Sequence, residues 1–317
     1  MAAIHAIVLT HNEAIHIERC LHSIKPVCET ITVVDSGSTD GTVAIAKGLG
    51  AEVVVNPWIN LAIQLNFAIE KVADRGGWVL RIDADEVLDE CSQEIIGDTL
   101  DRLGLPVDGI LIQRRIYFLG RRIRWGGIEP SWQLRLWRNG SGHCEQRWMD
   151  EHMKVNGNVI KSGVVFSDIN KKSLGWWISK HNEYASREAI DILNLRYGFA
   201  PYEVFNQSGT SAQARLRRFL KEKVYLRLPP GSRAMTYFLY RYILRLGFLD
   251  GAAGYYFHLM QGLWYRTLVD AKVAEIIAFA ESEQTSIVDA IKERTGYSKV
   301  LPTRKQISVE PNSSRVA

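Results

Sequence analysis

Three carboxylates in four positions, Asp83, Asp85 and Glu86, follow directly on the apolar run Trp78-Val79-Leu80-Arg81-Ile82. A buried strand that stops on Asp-x-Asp delivers acidic side chains to the carboxyl edge of a sheet, where open α/β proteins bind their ligands. Facing a phosphate-bearing ligand, two such oxygen donors can hold Mg²⁺ or Mn²⁺. The same residues also suit a solvated acidic turn in which Asp85 or Glu86 enters the next helix, and Asp-x-Asp alone does not separate the two readings. Two other polar runs end apolar strands in the same way. They are Thr10-His11-Asn12-Glu13 and Asp35-Ser36-Gly37-Ser38-Thr39-Asp40-Gly41-Thr42.

An alternation of strands and helices must position these groups. Strands are predicted over Ile4–Thr10, Thr30–Val34, Glu52–Val55 and from Trp78. Between them, Ala14, Ile17, Cys20, Leu21 and Ile24 share a helix face that Pro26 closes. Asp40 can cap a second helix, and Leu61 to Val72 makes a third, with Leu61, Leu65, Ala68, Ile69 and Val72 inward. This is the pattern of βαβ units and a largely parallel sheet. Right-handed crossovers place all carboxyl ends on one edge, so the three polar loops are expected to meet. That convergence favours a nucleotide-and-metal site over an acidic turn. No Gly-x-Gly-x-x-Gly follows the first strand, which disfavours a dehydrogenase.

A chain of 317 residues, 46% apolar, suits one large domain or a domain with an extension. A formal charge of +4 is too small to imply nucleic acid. Cys20, Cys28, Cys91 and Cys144 are scattered, which suggests neither a zinc site nor a disulfide framework. The N-terminus opens on a strand without a leader pattern, so a cytoplasmic protein is expected.

The three loops carry a family resemblance. Val8-Leu9-Thr10-His11-Asn12-Glu13, Val33-Val34-Asp35-Ser36-Gly37-Ser38-Thr39-Asp40-Gly41-Thr42 and Arg81-Ile82-Asp83-Ala84-Asp85-Glu86 resemble the signatures of the inverting glycosyltransferases of family 2. Phe118-Leu119-Gly120-Arg121, Arg135-Leu136-Trp137-Arg138, Lys180-His181-Asn182-Glu183-Tyr184-Ala185 and Gly247-Phe248-Leu249-Asp250-Gly251 extend the likeness towards bacterial lipopolysaccharide-core β-glucosyltransferases. The resemblance, over most of residues 4 to 275, implies a GT-A fold: Rossmann-like α/β, mostly parallel, with a helical C-terminal extension. It also implies sugar transfer with inversion from a nucleotide-diphosphate donor, a UDP-sugar favoured, assisted by Mg²⁺ or Mn²⁺. Many family members carry paired aspartates in the second loop; here the second place is Ser36, and the base is left open.

On this resemblance Asp85 is the direct metal ligand, and Asp83 touches the ribose or a metal-bound water. Thr10 and Asp35 hold the nucleoside in a cleft shared with Asn12 and Glu13. Gln64 and Asn66 line the same cleft or lie on a solvated helix face. They sit about 200° apart around a helix, so at most one faces the ligand. The general base is Glu151, with Asp150 close behind, or these belong to an exposed acidic loop. His152 or His181 completes the metal shell or is an ordinary structural histidine. Arg135 binds acceptor or donor phosphate, or lies on a solvated edge strand. Trp125 and Trp132 form a sugar-stacking acceptor wall or pack in the core.

Beyond residue 170 the pattern is helical: Leu174–Leu195, Ala212–Leu228, Arg233–Leu246 and Tyr255–Ala280. Nine Lys or Arg and one acid, Glu222, fall between residues 215 and 249. Met235 to Arg245 is aromatic and aliphatic, with Arg241 and Arg245 expected on one face. It is too charged to span a bilayer but fits an interfacial helix on anionic lipid; a buried helix or an oligomer contact is the competing use. The expected division is a catalytic domain over 1–170, a helical acceptor and membrane region over 171–280, and a partly disordered tail over 281–317. The protein is then peripheral on the inner face of the plasma membrane, with a lipid-linked or lipopolysaccharide-core acceptor. Two other functions fit less well. A sugar nucleotidyltransferase needs a Gly-rich basic loop after the first strand. A non-catalytic membrane scaffold would tolerate loss of Asp85.

Overall fold

The structure is a computed structural model that describes residues 2–103, 106–145, 153–199, 229 and 231–297. Its first third alternates as the apolar pattern requires: β1 (Ile4–Thr10), α1 (Ile17–Ile24), β2 (Thr30–Asp35), α2 (Thr42–Gly48), β3 (Glu52–Val55), α3 (Leu61–Val72) and β4 (Trp78–Asp83). All seven residues of β1 are buried, which marks it as a central strand. β2 and β4 flank it in parallel, with Thr10 opposite Asp35 and Leu9 opposite Asp83. The carboxyl ends of the three strands are therefore level.

The rest of the sheet is mixed. It comprises β5 (Glu86–Leu88), β6 (Gly109–Phe118), β7 (Arg121–Ile123), β8 (Ser131–Arg138) and β11 (Val159–Ile169), with α4 (Glu90–Asp101) after β5. The order is β3-β2-β1-β4-β8-β6-β11-β5, with β7 on β6. β8 pairs antiparallel with both β4 and β6, and β5 antiparallel with β11. The parallel expectation thus holds for β3-β2-β1-β4. Beyond that point the sheet is mixed: β6 and β11 pair in parallel, whereas the two-residue β6–β7 turn permits only an antiparallel pair. β9 (Gly142–Cys144) and β10 (Met153–Val155) form a separate ribbon.

Side chains of a strand alternate between faces, and the sheet is covered on both. Ala6, Val8, Leu80, Ile82 and Leu136 meet α1, α2 and α4 on one side; Ile7, Leu9, Val79 and Trp137 meet α3 on the other. β8 is accordingly a central strand and not a solvated edge.

The helical extension begins at α5 (Leu174–Tyr197), whose N-cap Ser173 accepts from the Trp176 N–H. α6 (Ser232–Leu239) runs into a π-helical turn, Tyr240–Leu244, and a 3₁₀ turn, Gly247–Asp250. Then follow α7 (Gly251–His258), a second π turn (Leu259–Trp264), α8 (Tyr265–Ser282) and α9 (Ile287–Thr295). The expected helix over Tyr255–Ala280 therefore starts earlier and is wound more loosely at its middle. Arg241 and Arg245 do not share a face: Arg241 is buried and Arg245 exposed, because the chain leaves the helix after Leu244. The helix expected over Ala212–Leu228 and the tail after Pro302 lie outside the described residues. Phe118 and Ile123 pack on Ala253 and Phe257, joining extension to sheet.

Candidate functional site

The first two loops are stitched into one surface. Asn12 sits at φ 53°, a left-handed conformation that asparagine tolerates. Its N–H donates to Ser38 Oγ (2.8 Å), and its Oδ1 accepts from the Thr39 N–H (2.8 Å). Asp35 is buried, and its Oδ2 accepts from the N–H groups of Gly37 and Ser38 at 2.8 and 2.7 Å, closing an Asx-type turn. Its carboxylate therefore shapes the loop that frames any ligand. Gln64 is buried behind this loop, donating to Ser36 Oγ (3.0 Å) and accepting from Asn56 Nδ2 (2.7 Å). Asn66 points the other way and pairs with the backbone of Cys144 (2.8 and 3.0 Å). The opposed directions of Gln64 and Asn66 follow from their spacing on α3.

Glu13 ties the first loop to the far end of β11. Its backbone N–H donates to Thr42 Oγ1 (2.8 Å), and its carboxylate holds Lys172 Nζ (2.6 Å) and His16 Nδ1. His16 Nε2 accepts from the Lys171 N–H (2.8 Å), so the ring proton sits on Nδ1 and points at Glu13. Thr10 is buried at the end of β1.

The two aspartates of Asp83-Ala84-Asp85 have different surroundings. Arg81, two residues earlier on the same side of β4, approaches both Asp83 oxygens at 3.2 and 3.3 Å, and Arg135 approaches Oδ2 at 3.4 Å. Burial would raise the Asp83 carboxyl, but Arg81, then Arg135 and Arg114, hold it well below the usual carboxylate range. Glu86 lies beneath, 2% exposed, accepting from Arg135 Nη2 (2.7 Å) and from the Asp83 N–H (2.8 Å). Burial pushes Glu86 up to about 8 against the pull of Arg135. Arg114 pairs with Asp168 on the neighbouring strand.

Asp85 stands outside this network. It is half-buried, its Oδ2 accepts from Asn170 Nδ2 (3.0 Å), and Arg19 reaches its carbonyl oxygen (3.1 Å) and not its carboxylate. Burial would lower Lys180, yet Tyr184, Asp85, Glu13 and Asp168 keep it above the ordinary lysine range, so a fixed cation faces this acidic edge. Among the described residues no group of three His, Cys, Asp or Glu side chains is placed to hold a metal unaided. The donor set still fits Mg²⁺ or Mn²⁺, ions that take one or two carboxylates together with substrate phosphates and water.

The remaining candidates are distributed more widely. β8 runs antiparallel to β4, Leu80 opposite Leu136, so Trp132 at its start lies towards the Asp83 end; it packs on the α3-side core with Lys161 over its ring. Arg135 is buried under the acidic turn. Trp125 is 43% exposed, and its N–H donates to Asp250 (2.9 Å). Gly126 follows at φ 71°, where a Cβ would lie 2.1 Å from His258. Asp150, Glu151 and His152 lie outside the described residues. No local pattern points to Arg114, Asp168 or Asn170. Arg81 stands at period two from Asp83 on the same strand, and Lys180 belongs to the Lys180-His181-Asn182-Glu183 run.

His181 stacks on Trp177 with ring centroids 3.5 Å apart, and its Nδ1 lies 2.9 Å from the Trp177 carbonyl oxygen. Burial lowers it from 6.5 to about 4, with Lys180 adding to the shift. A depressed folded pKa means that stability is fully present above 6.5 and is lost as pH falls through about 4. The melting temperature should fall across that window, and His181→Phe, which keeps the stack, should flatten part of the fall. Identical pH slopes in the two proteins would refute this.

The family model described as glycosyl transferase family 2 matches residues 6–174, more than half of the chain. The chain is 46% identical over 93 residues to an uncharacterized glycosyltransferase of Rickettsia bellii, covering 29% of this chain and 31% of that one. It is 31% identical over 165 residues to the lipopolysaccharide core biosynthesis glycosyltransferase LpsC of Rhizobium meliloti, covering 50% and 58%. It thus spans less than two thirds of the length of either relative. Among solved structures, glucosyl-3-phosphoglycerate synthase from Mycobacterium tuberculosis, in complex with Mn²⁺, UDP and glucosyl-3-phosphoglycerate, aligns at 24% identity and a TM-score of 0.30, over 37% of this chain and 44% of that one.

Proposed function

The chain belongs to glycosyl transferase family 2, and on that premise we propose that it is a glycosyltransferase that transfers a sugar with inversion from a nucleoside-diphosphate donor, a UDP-sugar favoured, to a lipid-linked or lipopolysaccharide-core acceptor. The observation that carries this reading is the level meeting of Thr10, Asp35 and Asp83 at one sheet edge, with Asp85 just beyond. The stitched loops frame the nucleoside. Asp83, fixed by Arg81 and Arg135, offers an oriented carboxylate to the ribose or to a metal-bound water. Asp85 anchors Mg²⁺ or Mn²⁺, which when bound would neutralise charge on the departing diphosphate. Lys180, held protonated nearby, adds a cation that needs no reorganisation as that charge develops. Glu151, or Asp150 in its place, takes the proton from the acceptor hydroxyl.

The acceptor class is supported by the likeness to LpsC and by an apolar face on the extension. Met235, Leu239, Ile243 and Leu244 are exposed along α6 and its π turn. No helix among the described residues is long and apolar enough to cross a membrane. Such a face suits peripheral attachment to an anionic leaflet on the cytoplasmic side.

Donor hydrolysis across UDP-, GDP-, ADP- and dTDP-sugars, with Mg²⁺, Mn²⁺ or chelator, tests the reading. Turnover is expected with one nucleotide class and should vanish on chelation. Full turnover in chelator would overturn the metal role, and inert donors throughout would overturn the donor class.

A further inference from the structure

The turn between β6 and β7 carries an unexpected residue for its backbone. Phe118 pairs with Arg121, which leaves Leu119 and Gly120 as the two turn residues, at φ 50° and 74°. Positive φ at both positions is the type I′ geometry that matches strand twist, and Asn-Gly is its ordinary sequence. Leucine has no polar side chain to ease a left-handed backbone. It gains no packing in exchange, being 58% exposed. A strained, exposed apolar residue at a hairpin tip calls for a functional explanation.

Its surroundings are apolar and cationic. The hairpin rests on α7 through Phe118, Ile123, Ala253 and Phe257. The Arg121 guanidinium lies where a Cβ on Gly251 would be 3.7 Å away. The tip therefore neighbours the 3₁₀ turn, whose Phe248 and Leu249 are exposed, as is Leu244 just before it. Arg121, Arg124 and Arg245 are exposed here too. The two nearby carboxylates are engaged elsewhere: Asp250 accepts from the N–H groups of Arg124 and Trp125 at 3.1 and 2.9 Å, and Glu129 forks with Arg122 at 2.7 and 2.6 Å.

We propose that the β6–β7 turn is a second lipid contact, in which Leu119 enters the acyl boundary of an anionic leaflet beside Phe248 and Leu249 while Arg121, Arg124 and Arg245 meet headgroup phosphates. The inference rests on the membrane reading of α6 and extends it from the helices to the catalytic sheet. Apolar residues ringed by arginines match a negatively charged interface, where each nearby cation strengthens attachment. A second copy of the chain is a poorer occupant. A two-fold contact presents the same patch from both sides and would bring the arginine clusters together. Contact through both sheet and helices fixes how the carboxyl edge faces the bilayer.

Leu119→Asn supplies the residue that the turn prefers and removes the apolar tip, so a folding defect is not expected. Sedimentation with phosphatidylglycerol–phosphatidylcholine vesicles at low salt should show binding about tenfold weaker than wild type, the effect of returning one leucine to water. The melting temperature should stay equal or rise. In a Cys91→Ser background, Leu119→Cys carrying an environment-sensitive fluorophore should shift to the blue with these vesicles and not with phosphatidylcholine alone. If wild type binds vesicles while Leu119→Asn binds equally and the probe stays aqueous, the second contact is refuted and the α6 reading survives. If wild type does not bind, both fall. A blue shift that follows protein concentration without lipid would identify a copy–copy interface and overturn the proposal.

Discussion

Asp85→Asn will lower sugar transfer by about a thousandfold, the scale of removing one charged group that stabilises a developing anion. It will leave the melting temperature nearly unchanged. The separation arises because the Asp85 carboxylate is bonded by an amide and not by an arginine: its Oδ2 holds Asn170 at 3.0 Å, and an asparagine oxygen can accept the same bond. What disappears is the negative charge a divalent ion needs. Binding of Mn²⁺ with nucleoside diphosphate, followed by calorimetry, should weaken in parallel with turnover. Wild-type turnover in a well-folded variant would remove Asp85 from the mechanism and revive the scaffold reading.

Above a pH of about 8, where Glu86 is ionised, Arg135→Met will destabilise the protein by about 3–5 kcal/mol, the usual penalty for stripping one partner from a buried ion pair. Glu86 is 2% exposed and Arg135 4% exposed, at 2.7 Å from one another, so solvent cannot take over the missing role. Adding Glu86→Gln should restore much of the loss, because a neutral amide needs no countercharge. The pH dependence has a definite sign. A carboxyl raised from 4.5 to about 8 in the fold favours the native state most below 4.5, and that advantage is lost as pH rises through about 8. The Arg135→Met defect should therefore be mildest near pH 5 and deepest in alkali, as followed by urea titration. A defect that ignores both pH and the Glu86 replacement would show that lost packing, and not the stranded carboxylate, is responsible.

These two residues also mark where sequence reading stops. Local pattern placed the acidic turn at a strand end, and parallel crossovers made it certain to meet the loops after β1 and β2. Arg81 was legible in principle, since period two puts it beside Asp83. Arg114 and Arg135 were not, because β6 and β8 insert between β4 and β11 by long-range pairings that no local spacing encodes. Arg135 was expected at a phosphate or on a solvated edge; burial on a central strand gives it the task of fixing Asp83 and Glu86. The π turns after Leu239 and His258 were hidden for a related reason, as an i→i+5 turn carries no residue signature of its own. Opposed directions for Gln64 and Asn66, by contrast, followed from helix geometry alone.

The grip of Asp250 on the Arg124 and Trp125 amides, with His258 filling the hollow under Gly126, bears on how the protein can be dissected. Trimming the chain to the shared span 6–174 would strip these amides of their acceptor and open a void where the imidazole sat. The span recognised by kinship thus omits side chains on which its own Arg124–Gly126 loop rests.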